Sequence, residues 1–312
     1  MKSLIIGGAG FVGEYLAKHL LALGQEVSVT KIPSQETVSS GVSVYDLDIL
    51  DQEQIFKVLQ KTQPDTVFHL AAQSSVAVSW NHPQMTADIN IKGSINILEA
   101  LRRYEKHSRV LLVGSGEEYG QILPLETPVR EDNTLRPGNL YAVTKACQNM
   151  VGRIYAQAYG MDLIMVRPFN HIGPNQSPVF VAADFCRQAA QIETGKKEPV
   201  IRVGNLSAKR DFTDVRDVVR AYAMLVDRGL AGETYNIGSG HAVAIRDILK
   251  VILEQSAAKI RVEVDEKKLR PVDVPVMEAD IRKLQKATGW EPQIRLEQTV
   301  GEMLEYWRKV IK

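Results

Sequence analysis

Lys2-Ser3-Leu4-Ile5-Ile6-Gly7-Gly8-Ala9-Gly10-Phe11-Val12-Gly13 joins a short apolar run to glycines spaced GxxGxxG. Residues 2–6 predict a buried strand that stops at Gly7. Beyond the glycines, Val12, Leu16, Leu20 and Leu23 recur at helical spacing, and Gly24 ends that helix. Strand, glycine turn and helix make one β/α unit, and the alternation continues downstream. Residues 26–29 and 42–45 read as the second and third strands. Residues 51–61 read as a helix presenting Ile55, Val58 and Leu59, and residues 66–70 as a fourth strand. One long helical stretch then runs through Ile89, Ile97 and Leu101 before a fifth strand at 109–113. A helix over 140–159 and a strand over 162–166 close the regular part. Alternation of this kind implies right-handed crossovers and a parallel sheet covered on both faces.

The glycines then acquire a purpose. Gly7 permits the tight turn, Gly10 lets backbone approach a pyrophosphate, and Gly13 lets the helix pack closely on its strand. Phe11 and Val12 open the helix, whose N-terminal N–H groups and partial positive charge suit phosphate. A Rossmann-type doubly wound sheet with a dinucleotide site is therefore expected. After the second strand stands Val29-Thr30-Lys31, with no carboxylate to bind a ribose 2′-hydroxyl. Lys31 would attract a 2′-phosphate, which favours NADP while leaving NAD open. Asp48 and Ile49, after the third strand, are placed to meet the adenine edge. Leu70, Ala71 and Ala72, after the fourth, offer small residues where backbone must lie against the cofactor.

Beyond Arg167 the periodicity weakens, and Pro168, Gly173, Pro174 and Pro178 punctuate short elements. We read residues 1–167 as the dinucleotide-binding domain and 168–312 as mainly a smaller α/β lobe, with some segments returning to the sheet. Neither a repeat nor a flexible linker separates the two parts, so a cleft between packed lobes is expected.

The 312 residues carry a net charge of +1, too little basic excess for a nucleic-acid binder. Composition is ordinary for a globular protein, at 45% hydrophobic and 24% charged. The apolar run at residues 4–6 is too short for a signal or a membrane span, and a cytoplasmic location is expected. Cys147 and Cys186 lack CxxC spacing, and His69, His82, His107, His171 and His241 form no ligand-spaced cluster, so no metal is expected.

Tyr141-Ala142-Val143-Thr144-Lys145 puts a phenol and an ammonium at i and i+4 on one helix face. A free phenol titrates near ~10, so action at neutral pH needs about 4 kcal/mol of preferential phenolate stabilisation. A nearby Lys145 charge would supply part of it. Upstream, Gly114-Ser115-Gly116-Glu117-Glu118-Tyr119-Gly120 follows the fifth strand. Ligands of open parallel sheets bind at strand carboxyl ends, which places Ser115 near the cofactor's reactive end.

Glycine loop, serine loop and Tyr/Lys helix, in that order, resemble the extended short-chain dehydrogenase/reductases of the sugar-nucleotide branch over nearly the whole chain. Arg167-Pro168-Phe169-Asn170-His171-Ile172-Gly173-Pro174, the segment from Gly204 to Asp217 and Leu269-Arg270-Pro271 resemble the GDP-4-keto-6-deoxy-D-mannose reductases among them. The resemblance implies reduction of a GDP-linked keto sugar to GDP-D-rhamnose. It implies Tyr141 as general acid, and Lys145 as its tuning partner that also binds nicotinamide ribose. Ser115 would bind the sugar carbonyl, and Asn170, Arg210 and Arg270 would hold the nucleotide diphosphate-sugar. A bland alternative for Arg210 is an ion pair with Asp211 or Asp214. Members commonly carry threonine before the first glycine, where this chain has Ile6.

Glu117 keeps a second reading open. Related GDP-mannose 4,6-dehydratases place a glutamate two positions after the serine or threonine, where it removes a sugar C5 proton. Against that reading, Gly116 lacks the neighbouring hydroxyl or acid. An epimerase, or a binding protein on an inactive scaffold, are further alternatives, the last weakened by the intact Tyr141 and Lys145. The resemblance also implies a homodimer, with Ile91, Ile95, Leu98, Val151 and Ile154 available for a helical seam.

Overall fold

The computed structural model describes residues 1–36, 40–104, 106–268 and 274–312. Its first half contains β1 (Lys2–Ile6), α1 (Phe11–Ala22), β2 (Glu26–Lys31), β3 (Ser43–Asp46), α2 (Gln52–Thr62) and β4 (Thr66–His69). After β4 come α3 (Val76–Asn81), α4 (Pro83–Ala87), α5 (Gly93–Arg103), β5 (Arg109–Val113), α6 (Leu140–Tyr159) and β6 (Leu163–Pro168). The remainder holds β7 (Asn170–Ile172), α7 (Val181–Glu193), β8 (Val200–Val203), β9 (Lys209–Asp214), α8 (Val215–Arg228), β10 (Thr234–Ile237) and β11 (Ala242–Ala244). It ends with α9 (Ile245–Gln255), β12 (Arg261–Val264), β13 (Val276–Met277), α10 (Arg282–Thr288) and α11 (Leu296–Ile311).

Seven strands form one parallel sheet in the order β10-β6-β5-β4-β1-β2-β3. Side chains alternate across it. Ile5, Phe68, Leu111 and Ile164 face Leu16 and Leu20 of α1 and Val218 and Tyr222 of α8. Leu4, Val67, Val110 and Leu163 face Ile55 and Leu59 of α2 and Ile97 and Leu101 of α5. Each fully buried side chain of this size contributes roughly 1.5–3 kcal/mol of transfer free energy, enough to pin strand register on both faces.

Between β4 and β5 the expected helical stretch through Ile89, Ile97 and Leu101 runs without a break over 83–103, preceded by the short α3. Pro83 brings no N–H, so α3 stops at His82 and α4 starts at the proline. Residues Asp88–Lys92 then widen into a π-helical turn that delivers Asn90 inward. There its Nδ2 donates to the Gln73 carbonyl at 3.0 Å and to Thr144 Oγ1 at 2.9 Å.

The second lobe is built on β9, which pairs with β7, β11 and β13, while β8 pairs with β12. Its core joins Phe185 and Ala189 of α7, Ile248 and Ile252 of α9, and Val300, Met303 and Leu304 of α11. No described helix is long and apolar enough to cross a membrane.

Candidate active site

The glycine loop lies between β2 and the end of β4. Gly7 adopts φ +86°, and a Cβ there would lie 2.7 Å from Ala71 N. Ala71 and Leu70 both donate to the Ile6 carbonyl, closing the turn from the β4 side. On the β2 side, Gly7 N donates to Thr30 Oγ1 and Gly8 N to Thr30 O. A Cβ on Gly13 would meet the Gly8 backbone at 2.5 Å, so helix and turn touch directly. A Cβ on Gly10 meets only Gly7 O, at 3.5 Å, and Gly10 starts α1 without a side-chain cap. The arrangement fits a dinucleotide pyrophosphate: the N–H groups of the first turn, at Phe11 and Val12, face a position kept clear of side chains.

At the adenosine end the residues are arranged less simply than expected. Asp48 is exposed and accepts from Leu50 N at 2.9 Å, while Ile49 packs under Gly93. Lys31, read as a cation available to a 2′-phosphate, instead bonds Asp46 Oδ1 at 2.7 Å. The two residues end adjacent parallel strands in register, which brings their side chains together.

At the catalytic end, β5 delivers Ser115 and α6 delivers Tyr141 and Lys145. Asn139 caps α6, its Oδ1 accepting from Ala142 N at 2.9 Å. Tyr141 and Ser115 are each 8% exposed and lie close enough for the serine to act on the phenol. Burial pushes the Tyr141 phenol above its ordinary range, and the Ser115 contact only partly opposes this. Lys145 Nζ donates to the Val113 carbonyl at 2.8 Å and to Gln148 Oε1 at 3.1 Å. Burial lowers the Lys145 ammonium to about 8, partly offset by the Glu118 charge.

Glu117 faces Asn139, whose Nδ2 donates to its Oε2 at 3.2 Å. Its neighbour Glu118 is fully buried and does something the sequence reading missed. Glu118 Oε1 accepts from Ser115 N at 2.8 Å and from Asn149 Nδ2 of α6 at 2.5 Å. Its Oε2 accepts from Arg167 Nε of β6 at 2.7 Å. One carboxylate thus ties the serine turn, the Tyr/Lys helix and the neighbouring strand. Gly114 is required beside it, since a Cβ would fall 2.2 Å from Glu118 Oε1 and Asn149 Nδ2. The signal was present as the S-x-x-E capping pattern Ser115–Glu118.

Toward the second lobe, Asn170 is partly buried at the start of β7 and pairs in register with Phe212 of β9. The next residue, His171, stacks on Phe11 of the glycine loop, with ring centroids 6.4 Å apart. Arg210 is 7% exposed on β9, and its Nη1 donates to the carbonyls of Lys209 and Val274. The acids read as its alternative partners are engaged elsewhere. Asp211 accepts from Ser239, Gly240 and Ala279, and Asp214 from Arg216 and Thr299. Arg270 lies outside the described residues. The structure therefore brings Ser115, Glu117, Tyr141 and Lys145 together past the carboxyl end of β5, on the same sheet edge as the glycine loop. Among the described residues no group of His, Cys, Asp and Glu could hold a metal ion.

Comparison with known proteins shows the family. The GDP-mannose 4,6 dehydratase family matches residues 4–303. A GDP-6-deoxy-D-mannose reductase of Pseudomonas aeruginosa is 30% identical over 311 residues, covering 100% of this chain and 98% of the relative. The solved structure of RMD from Pseudomonas aeruginosa complexed with NADPH superposes with TM-score 0.89 at 30% identity, over 99% of this chain and 100% of that one. Thermus thermophilus UDP-glucose 4-epimerase in complex with NAD gives TM-score 0.89 at 28% identity, over 99% of each chain.

Proposed function

The chain belongs to the GDP-mannose 4,6 dehydratase family, and on that premise we propose that it reduces the C4 keto group of GDP-4-keto-6-deoxy-D-mannose to GDP-D-rhamnose, using NADPH in preference to NADH. The observation that carries the reading is the cluster of buried Ser115, Tyr141 and Lys145 past the carboxyl end of β5, on the same edge of the parallel sheet as the glycine loop after β1. The nicotinamide, when bound, supplies the hydride. Ser115 and Tyr141 hold the sugar carbonyl oxygen, and Tyr141 gives it a proton as negative charge develops. Lys145 holds ammonium charge beside the nicotinamide ribose and limits the cost of the phenolate left behind. Asn170, Arg210 and Arg270 bind the GDP-sugar, the arginines through forks suited to diphosphate oxygens. Residues 1–167 hold the cofactor, and 168–312 mainly hold the sugar nucleotide.

Glu117 supports a second reading, GDP-mannose dehydration with Glu117 as base, because it stands two positions after Ser115 and reaches Asn139 at the start of the Tyr/Lys helix. One assay separates the two. With GDP-4-keto-6-deoxymannose, reduction consumes one reduced cofactor per sugar, read from nicotinamide absorbance. Loss of water from GDP-mannose without net cofactor consumption would replace the reductase reading with the dehydratase one.

A cytoplasmic homodimer completes the proposal. Leu98, read as a seam residue, is wholly buried in the chain's own core. Val143, Met150 and Ile154 instead leave α6 as an exposed apolar row, with partly exposed Cys147 between them at coiled-coil spacing. A second copy of α6 would cover that row.

A further inference from the structure

The adenosine end of the site holds two residues of opposite charge where selectivity between cofactors is ordinarily decided. Thr30 bonds the glycine turn through both its hydroxyl and its carbonyl, so Lys31, the next residue, flanks the loop that binds the pyrophosphate. A carboxylate in this region binds the two ribose hydroxyls and repels a 2′-phosphate, and a cation does the reverse. Here the carboxylate has moved to the end of β3, where Asp46 is the register partner of Lys31 and bonds its ammonium at 2.7 Å. The lysine side chain is 19% exposed and the aspartate 60%, so the acid stands on the solvent side of the pair.

We propose that Asp46 is a cofactor-selectivity residue: it neutralises Lys31, so that a 2′-phosphate must displace its carboxylate to gain the ammonium. An unphosphorylated ribose leaves the pair intact. Asp46 therefore restrains a preference for NADPH that Lys31 alone would make stronger, and keeps NADH usable. The inference rests on the dinucleotide reading of the glycine loop.

The test is direct binding, by titrating the full chain and following nicotinamide fluorescence with NADPH and NADH at fixed ionic strength. Asp46→Asn keeps the shape of a largely exposed side chain and removes its charge. It is expected to tighten NADPH about 3- to 10-fold, the range for losing an exposed ion pair and a like-charge neighbour, with NADH unchanged within about twofold. That gain shrinks as salt is raised. Lys31→Met is expected to weaken NADPH by at least as much and to leave NADH alone. Weaker NADPH binding by Asp46→Asn would overturn the proposal, since it would make Asp46 a residue that orients the lysine. An equal shift for both cofactors would overturn it as well. Wild-type protein that binds neither dinucleotide would instead defeat the underlying reading of the loop, an outcome distinct from either of these.

Discussion

The two ends of the site are built by different means. At the cofactor end the surface is mostly backbone, and side chains are excluded: Gly7, Gly8 and Gly13 sit where a Cβ would strike Ala71, Val29 and the Gly8 backbone. At the catalytic end the work falls to side chains drawn from three elements, with Glu118 bonding Ser115, Asn149 and Arg167 at once. The first end draws its glycines from seven consecutive residues, packed against small or β-branched residues of β2 and the end of β4. The second needs specific side chains as far as 49 positions apart along the chain. A backbone surface is disturbed by adding atoms, and a side-chain network by removing them.

The largest test of that contrast lies in the chemistry itself. Tyr141→Phe removes one oxygen from the catalytic end and is expected to lower turnover by about two to four decades while cofactor affinity holds. Stopped-flow reduction and cofactor titration on the same preparation check both halves, and unchanged turnover would remove Tyr141 from its role. Next comes the network. Glu118→Ala leaves the Arg167 guanidinium buried without its carboxylate, and should cost about 3 kcal/mol in urea unfolding. Replacing both members by methionine should restore most of that stability. Stability without activity would then show that the carboxylate positions Ser115 as well as holding the fold.

At the other end, Gly13→Ala adds one methyl 2.5 Å from the Gly8 backbone. It should destabilise by about 1–3 kcal/mol and weaken both dinucleotides together, unlike the selective effects expected at Asp46. The last test is in pH. Burial lowers Lys145 to about 8 in the free protein, so its ammonium is present below that pH and is lost as pH rises through it. Accordingly kcat/KM should fall roughly tenfold per pH unit above about 8, and hold steady just below it. A flat profile up to pH 10 would mean that the ammonium is not needed or is held more firmly than burial alone allows.

The same contrast explains what could be read in the sequence. β5 and α6 lie at the residues expected, because their apolar periodicity and flanking glycines are local signals. The helical stretch through Ile89, Ile97 and Leu101 lies where expected, but its π-turn was not legible, because Asn90 bonds Gln73 there, a contact no periodicity encodes. The partner of Lys31 was not legible, since Asp46 arrives on another strand. The i, i+4 spacing put Lys145 on the helix face of Tyr141 but could not show that its ammonium bonds Val113 and Gln148. Spacing fixes the face of a helix, and the rotamer is chosen by whichever acceptors the sheet presents.

Asn139 has a consequence of its own. Through one amide group it both seats the first turn of α6 and tethers Glu117. Any swing of that acid toward a sugar ring must either release the tether or tug on the helix that bears Tyr141. Acid and phenol are thereby geared together, and an incoming sugar that shifts one resets the aim of the other.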